Sequence, residues 1–451
     1  MTRTQPSDAK ATDRPTRAER TGGVAAGLRN GQSALTLGLL FDGVASYIFL
    51  TASGRALGPG RFATVSVLWV VLFLVGNGLF VPVEQELSRS IAARRARNLG
   101  SRSLVRRVTG ASAALLVVVS IGLLIGRERI ADSLFRGDDQ FVVALVVGIV
   151  GVWFMFLVRG FLAGNGRYHG FALLFVGDAL SKAIPAVVLL LAGVTNPLAF
   201  AVIMATSAYV GAAVPLAGRD PAPMTVRADP PPDWSRLLSS LGFLLLTSFL
   251  SALAINIGTL AVEVIGTRVD ADKAGIFLSG LVIARVPLFL FQAIQAIVLP
   301  RLSGLAALND LQGFRNDLRR MCGLMVASTV IAVVGSAALG PIVVKILFGD
   351  EFALLGARDM GLLTLASMLM TCALTLNQAQ IALHHQRQTG WPWGVATAAF
   401  LAVTATNGAY LFLRVELGMV AAGATALVLA SLLLARELRH PDELRAATPT
   451  L

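Results

Sequence analysis

Charge is scarce in this chain: Asp, Glu, Lys and Arg together make up 14% of its 451 residues, where ordinary soluble proteins carry about 25%. Cysteine is nearly absent, with 2 in all. Cys322 and Cys372 lie in apolar segments and form no CxxC or Cys/His cluster, which excludes a zinc or redox motif and reads as small core residues. The 4 histidines, His169, His384, His385 and His440, fall in polar connections or the tail. Adjacent residues such as His384 and His385 point apart, so they read as solvated loop and not as a metal site. There is no Walker motif for nucleotide use, no paired-carboxylate motif and no nucleophile triad. These absences exclude an enzyme reading and leave no cofactor or metal to expect.

Apolar residues are abundant. They make up 55% of the chain, and mean hydropathy is +0.72. A helix that crosses a bilayer needs roughly 20 apolar residues. Segments of about that length fall at 33–57, 62–84, 109–126, 139–163, 170–193, 197–217, 238–265, 275–299, 322–339, 358–383, 391–413 and 415–435. The pattern predicts an all-α integral membrane protein of about 12 transmembrane helices.

The net charge of +12 follows from orientation and calls for no nucleic acid. Of the Lys and Arg residues, 25 fall in the two tails and even-numbered loops and 9 in odd-numbered loops. Positive charge stays on the cytoplasmic side, so both termini are expected in the cytoplasm, with membrane lipids as constant partners. Residues 1–32 are polar and basic, and the first apolar run is of spanning length. That is unlike a signal peptide, and it predicts a disordered cytoplasmic tail.

The Pro-rich stretch Gly218–Arg236 divides the segments six and six. The expected organisation is a tail (1–32), a six-helix lobe (33–217), a cytoplasmic linker (218–236), a second six-helix lobe (237–435) and a C-terminal tail (436–451). The halves echo each other. ADSLFRGDDQF (Ala131–Phe141) follows the third segment and VVKILFGDEF (Val343–Phe352) the ninth, with Phe348 standing 213 positions after Phe135. ELSRS (Glu86–Ser90) ends the second segment and RLSG (Arg301–Gly304) the eighth, with Leu302 standing 215 after Leu87. Two echoes at matching offsets predict an internal duplication, with a pseudo-two-fold axis along the membrane normal.

Three stretches carry a family resemblance: RALGPGRFA (Arg55–Ala63), AGIFLSGLVIARVPLFLFQAIQAIVLPRLS (Ala274–Ser303) and ILFGDEF (Ile346–Phe352). They resemble the loop after the first helix, the eighth helix and the LFG-x-x-F loop of polysaccharide flippases. These form a branch of the multidrug/oligosaccharidyl-lipid/polysaccharide exporter superfamily, and the resemblance covers essentially residues 33–435. It implies a transporter of the bacterial cytoplasmic (inner) membrane that moves a polyprenyl-diphosphate-linked oligosaccharide outward by alternating access. In that family the first, second, seventh and eighth helices line the cavity. The implied partners are a lipid-linked glycan and, as coupling ions, H+ or Na+. The rival readings are a cation-coupled multidrug antiporter of the same superfamily and a peptidoglycan-precursor flippase, although that last branch usually adds two helices.

The ionisable residues inside spans are Asp42, Arg159, Asp178, Lys182 and Arg285, with Arg55 and Glu263 nearer the ends. Such residues are costly at membrane depth and tend to face protein or a hydrated interior. Arg159 sits near a helix end, where snorkelling to headgroups suffices. Asp178 and Lys182 are four apart and share a face; they form either a self-neutralised pair or a group that handles substrate or protons. Arg285 stands in mid-segment, with Gln292 on nearly the same face. Polar stripes at Asp42/Ser46/Ser53, Asn256/Thr259/Glu263 and Ser367/Thr371/Gln378 suggest a hydrated interior.

For a diphosphate group the forked donors of arginine are suited. Arg285 is the first candidate, assisted by Lys182 and Arg55, with Gln292, Asn256 and Asn77 for sugar hydroxyls. The open alternative for Arg285 is an ion pair with Asp42 or Glu263. Asp42, Asp178 and Glu263 are the candidates for ion coupling.

Overall fold

The structure is a computed structural model describing residues 17–217, 229, 234–266, 272–286, 311–382, 390–406 and 410–439. Every regular element among them is helical. The helices are α1 (Arg17–Val75), α2 (Val81–Ala96), α3 (Arg102–Ile125), α4 (Arg127–Leu134), α5 (Gln140–Gly164), α6 (Tyr168–Leu191) and α7 (Pro197–Ala217). After the Pro-rich stretch come α8 (Trp234–Ile265), α9 (Lys273–Ala284), α10 (Leu311–Phe348), α11 (Ala357–Ala382), α12 (Trp391–Thr406) and α13 (Leu411–Arg439). Among the described residues, nine helical stretches are long and apolar enough to cross a membrane. The expected segments 275–299 and 391–413 are represented by the shorter helices α9 and α12.

The longest of these stretches, Ser33–Ala96, has 64 residues. At 1.5 Å per residue it far exceeds a hydrocarbon core of about 30 Å. It is broken at Gly58 (φ 68°, ψ 170°), followed directly by Pro59. A side chain at φ +68° would be strained, and proline has no N–H with which to continue the ladder. The first and second apolar segments therefore meet at this break. A single π-turn, Gly76–Phe80, joins α1 to α2.

Helices before the Pro-rich stretch pack mainly with one another, through α1 on α6, α6 on α7, α5 on α7 and α2 on α5. Those after it do the same, through α11 and α12 on α13 and α10 on α11. The two halves meet where α1 lies against α8 and α9. Apolar side chains are buried along this seam, Phe49, Phe62 and Phe277 being wholly inaccessible. Many others are exposed, Leu191 and Ile125 by more than four-fifths. That is the surface of a chain solvated by lipid.

Each echoing loop turns on a glycine at positive φ and brings its two phenylalanines together. In the first, α4 ends before Phe135, glycine 137 turns with φ 86°, and Phe135 stacks on Phe141 at 5.6 Å. In the second, α10 ends at Phe348, glycine 349 turns with φ 110°, and Phe348 lies 5.5 Å from Phe352.

Asp229, from the Pro-rich stretch, fastens that stretch to the start of α3. Its carboxylate accepts from the Ser103 backbone N–H (2.6 Å), from Ser103 Oγ (2.7 Å) and from Arg94 (2.7 Å). It thus caps a helix more than a hundred residues away in sequence. Burial pushes its carboxyl up, and the bonds from Ser103 and Arg94 outweigh that, holding it below the usual aspartate value.

Candidate functional site

The N-terminal half contains a cavity of about 270 Å³ between α1, α5, α6 and α7. Its polar lining comes from Asp42, Ser46, Asn77, Arg159, Asp178 and Lys182, and its apolar lining includes Phe49, Trp69 and Phe73. Trp69 stacks between the other two rings at 6.0 and 6.3 Å. Lys182 Nζ lies 2.7 Å from Asp178, one helical turn away on α6, and 2.6 Å from Asp42 on α1. One ammonium therefore serves two carboxylates, and the cluster carries one net negative charge when all three are ionised. The Asp42 side chain is 22% exposed and Lys182 only 7%, so Asp42 is the more accessible of the two. Arg159 closes another wall. It pairs with Glu84 at 3.1 Å and lies 4.3 Å over the Phe156 ring. The snorkelling expected of Arg159 is not what the structure shows: its charge is met by a carboxylate and aromatic faces inside the protein.

Arg285 occupies a different place. Helix α9 stops at Ala284, with Arg285 as its capping residue; the rest of the expected segment, including Gln292, lies outside the described residues. The guanidinium reaches α8, donating to the Ile255 carbonyl at 2.7 Å and to Asn256 Oδ1 at 3.4 Å. Both acceptors are neutral. Tyr47 of α1 lies near it. The Tyr47 hydroxyl donates to the Val282 carbonyl at 2.8 Å, which ties α1 to α9. Arg285 thus sits at the seam between the halves, without a carboxylate among the described residues. The ion pairs offered as its alternative do not form: Asp42 is taken by Lys182, and Glu263 by Arg136.

At the end of the molecule marked by Gly58, polar contacts sew the halves together. Arg136, in the first echoing loop, reaches Glu263 of α8 at 3.1 and 3.3 Å and the Gly60 carbonyl at 2.7 Å. Arg55 of α1 donates to the Leu347 carbonyl of α10 at 2.6 Å and also to that of Ile346. Phe62 packs on Phe348 and Phe352 of the second echoing loop at 6.0 and 5.7 Å.

No protein-family model matches the chain, and no curated protein does. Solved structures do match. An inward-facing multidrug resistance MATE family transporter of the MOP superfamily superposes with TM-score 0.68 at 15% identity, over 89% of this chain and 96% of that one. The fold is that of the MATE transporters. An outward-facing structure of such a transporter gives TM-score 0.65 at 14% identity over 93% of this chain and 97% of that one. The Vibrio cholerae MATE transporter VcmN, in its bent form, gives 0.62 at 14% identity over 93% and 99%. The likeness spans nearly the whole of each chain, so the MATE fold accounts for both halves and the seam between them.

Within this MATE fold the sequence-predicted residues separate into three groups. Asp42, Asp178, Lys182 and Asn77 come together in the cavity. Arg285 and Asn256 meet at the seam. Arg55 and Glu263 belong to the stitched end. Lys182 is thus already neutralised by two carboxylates, while Arg55, like Arg285, is bonded to neutral acceptors. Three further residues had gone unremarked in the sequence: Glu84, the partner of Arg159; Arg136, the partner of Glu263; and Glu416, buried in α13. Glu416 stands one position inside an apolar segment, and that position was the available signal. No group of three or more His, Cys, Asp or Glu that could hold a metal ion occurs among the described residues.

Proposed function

We propose that the protein is a MOP-superfamily transporter that moves an amphiphile with an anionic head group, a polyprenyl-diphosphate-linked oligosaccharide, across the bacterial inner membrane. Arg285 carries this reading. A buried guanidinium that meets no carboxylate among the described residues is costly, and an anionic ligand at the seam would offset that cost in the form arginine binds best, a forked contact to phosphate oxygens. Helix α9 ends beside it, and the carbonyls and dipole of a helix end are the kind of feature transporters place at substrate sites. Asn256 and Asn77 are the amides assigned to sugar hydroxyls in this reading.

The mechanism is alternating access by two six-helix lobes, twelve segments in all, with both termini in the cytoplasm. The contacts of Arg136, Arg55 and Phe62 close the outer end, and their release opens it. Asp42 and Asp178 are the groups for proton or sodium coupling. The head group crosses inside while the polyprenyl chain stays in lipid.

A second reading is supported by the solved neighbours, which are described as multidrug transporters, and by the net negative cluster in the cavity. This is a cation-coupled multidrug antiporter. The experiment that separates the two is reconstitution in liposomes with a fluorescent polyprenyl-diphosphate glycan and, in parallel, a fluorescent organic cation. Glycan translocation that Arg285→Ala abolishes supports the flippase. Cation efflux that survives Arg285→Ala and fails in Asp42→Asn supports the antiporter and overturns the proposal.

A further inference from the structure

The repeat that relates Phe135 to Phe348 continues into the helices before those loops. At the same offset of 213, RSLVRRVTG (Arg102–Gly110) at the start of α3 corresponds to RNDLRRMCG (Arg315–Gly323) of α10. The agreement lies mainly on one side. Along α3 the buried positions are Leu104, Val108, Ser112 and Leu116. Their counterparts in α10 are Asp317, Met321, Met325 and Thr329, all different. Two positions earlier at each turn, about 160° round the helix, run Arg102, Arg106, Gly110 and Ala114. Their counterparts are Arg315, Arg319, Gly323 and Ala327, all identical. These eight residues are exposed, and the two faces continue into Val117 and Val330, 52% and 58% exposed. A side chain added at Gly110 or Gly323 would meet nothing within 4 Å among the described residues.

Packing within the protein does not account for the shared face, because the packed face is the one that differs. What the two outward faces meet in common is the bilayer. We propose that the starts of α3 and α10 each hold an anionic phospholipid. Its phosphate takes forked donors from two arginines one turn apart, and an acyl chain follows the open track of glycine and alanine onto Val117 or Val330. Arg315 already gives one nitrogen to the Leu438 carbonyl at 2.5 Å, a neutral acceptor that leaves its charge unspent. Both helices begin at the end away from Gly58: α2 leads the chain from that break to α3, and α10 reaches it only at Phe348, against Phe62. The distribution of Lys and Arg makes the far end cytoplasmic, the side on which anionic headgroups attract basic residues. A second copy of the chain is the other occupant that a Gly-x3-Ala spacing admits. Copies in one membrane share an orientation, so their arginine pairs would meet at one depth and repel. The charge therefore favours lipid, whichever substrate the seam takes.

The test uses the purified full-length protein in detergent, with phosphatidylglycerol or phosphatidylcholine added as mixed micelles. Native mass spectrometry counts the lipids retained, and the unfolding temperature reports their hold on the folded state, which a bound ligand raises. The wild type is expected to keep two phosphatidylglycerol molecules and to melt several degrees higher with that lipid than with phosphatidylcholine. Arg102→Gln/Arg106→Gln and Arg315→Gln/Arg319→Gln should each keep one and lose about half of the shift, and the fourfold variant should lose both. Arg97→Gln/Arg436→Gln removes equal charge from exposed positions at the same end but off the two faces, and should behave like the wild type. Gly110→Leu, which fills the open track, should weaken the α3 site and spare the other. An equal response to the two lipids would overturn the proposal. So would a loss in the Arg97/Arg436 variant as large as in the paired ones, because orientation would then be the whole meaning of the charge. A lipid-independent dimer that Gly110→Leu or Gly323→Leu dissolves would replace it with a contact between copies.

Discussion

Lys182 and Arg285 are both cations set among apolar helices, one in each half of the chain, and their surroundings differ. Lys182 has two carboxylates within 2.7 Å, one from its own helix and one from α1. Arg285 has a carbonyl and an amide oxygen. A cation with surplus counter-charge is part of the framework, because its removal strands the acids. A cation with neutral acceptors is poised for something that arrives from elsewhere. In the function proposed above, Arg285 is the cation that meets the ligand, as the sequence reading also has it, while Lys182 holds the two acids proposed for ion coupling.

The contrast can be broken most forcefully at Lys182. Lys182→Met leaves Asp42 and Asp178 buried without their cation, and losing one partner of a buried pair costs about 3–5 kcal/mol. Chemical or thermal unfolding in detergent should show that loss, and adding Asp42→Asn and Asp178→Asn should recover most of it. A mutant as stable as wild type would mean that water, and not Lys182, satisfies the acids.

A smaller effect is expected at the stitched end. Arg136 and Glu263 are partly buried, their side chains 31% and 9% exposed, and such a pair is worth about 1 kcal/mol. Glu263→Gln should therefore shift the balance between closed and open outer ends roughly fivefold. Spin-label distances between the α4–α5 and α10–α11 loops would report it, and an unchanged distribution would remove this pair from the seal.

Next comes the clasp at Asp229. Its carboxyl is held below the ordinary aspartate value, which sets the sign. The contribution is present above about pH 4, the unfolded value, and is lost as pH falls through the lower folded one. Asp229→Asn should cost roughly 0.5–1 kcal/mol, the scale of a helix cap, and should speed amide exchange at the start of α3 without changing the other helices. The least change of all is expected for the stability of Arg285→Met. It removes a hydrogen-bonded cation whose own burial was unfavourable, so the two effects offset to within about 1 kcal/mol. A large destabilisation there would return Arg285 to the framework and erase the difference from Lys182.

Much of this was legible beforehand because helices are written in local periodicity. The apolar segments, the Asp178–Lys182 pair at one-turn spacing, and the two Phe-Gly-acid loops all depend on neighbours within a few positions. Asp42 joining Lys182 was not legible, since those residues are 140 apart in sequence and nothing local tells a carboxylate which amine it will meet. Arg136 and Glu263, 127 apart, escaped for the same reason. The end of α9 at Ala284 was hidden too, because continuous apolar sequence carries no mark of where a helix stops. Glu416 lay at a segment edge, where a charge is usually excused as facing water, and only tertiary packing shows that it does not.

The clasp at the start of α3 has a mechanical consequence. Between the anchored Asp229 and the first residue of α8, Trp234, lie only three prolines and Asp233. Five residue steps reach at most about 18 Å when fully extended. While the clasp holds, the start of α8 can lie no farther than that from Asp229 at the foot of α3. In the alternating-access motion proposed above, such a tether would limit the stroke of one half against the other.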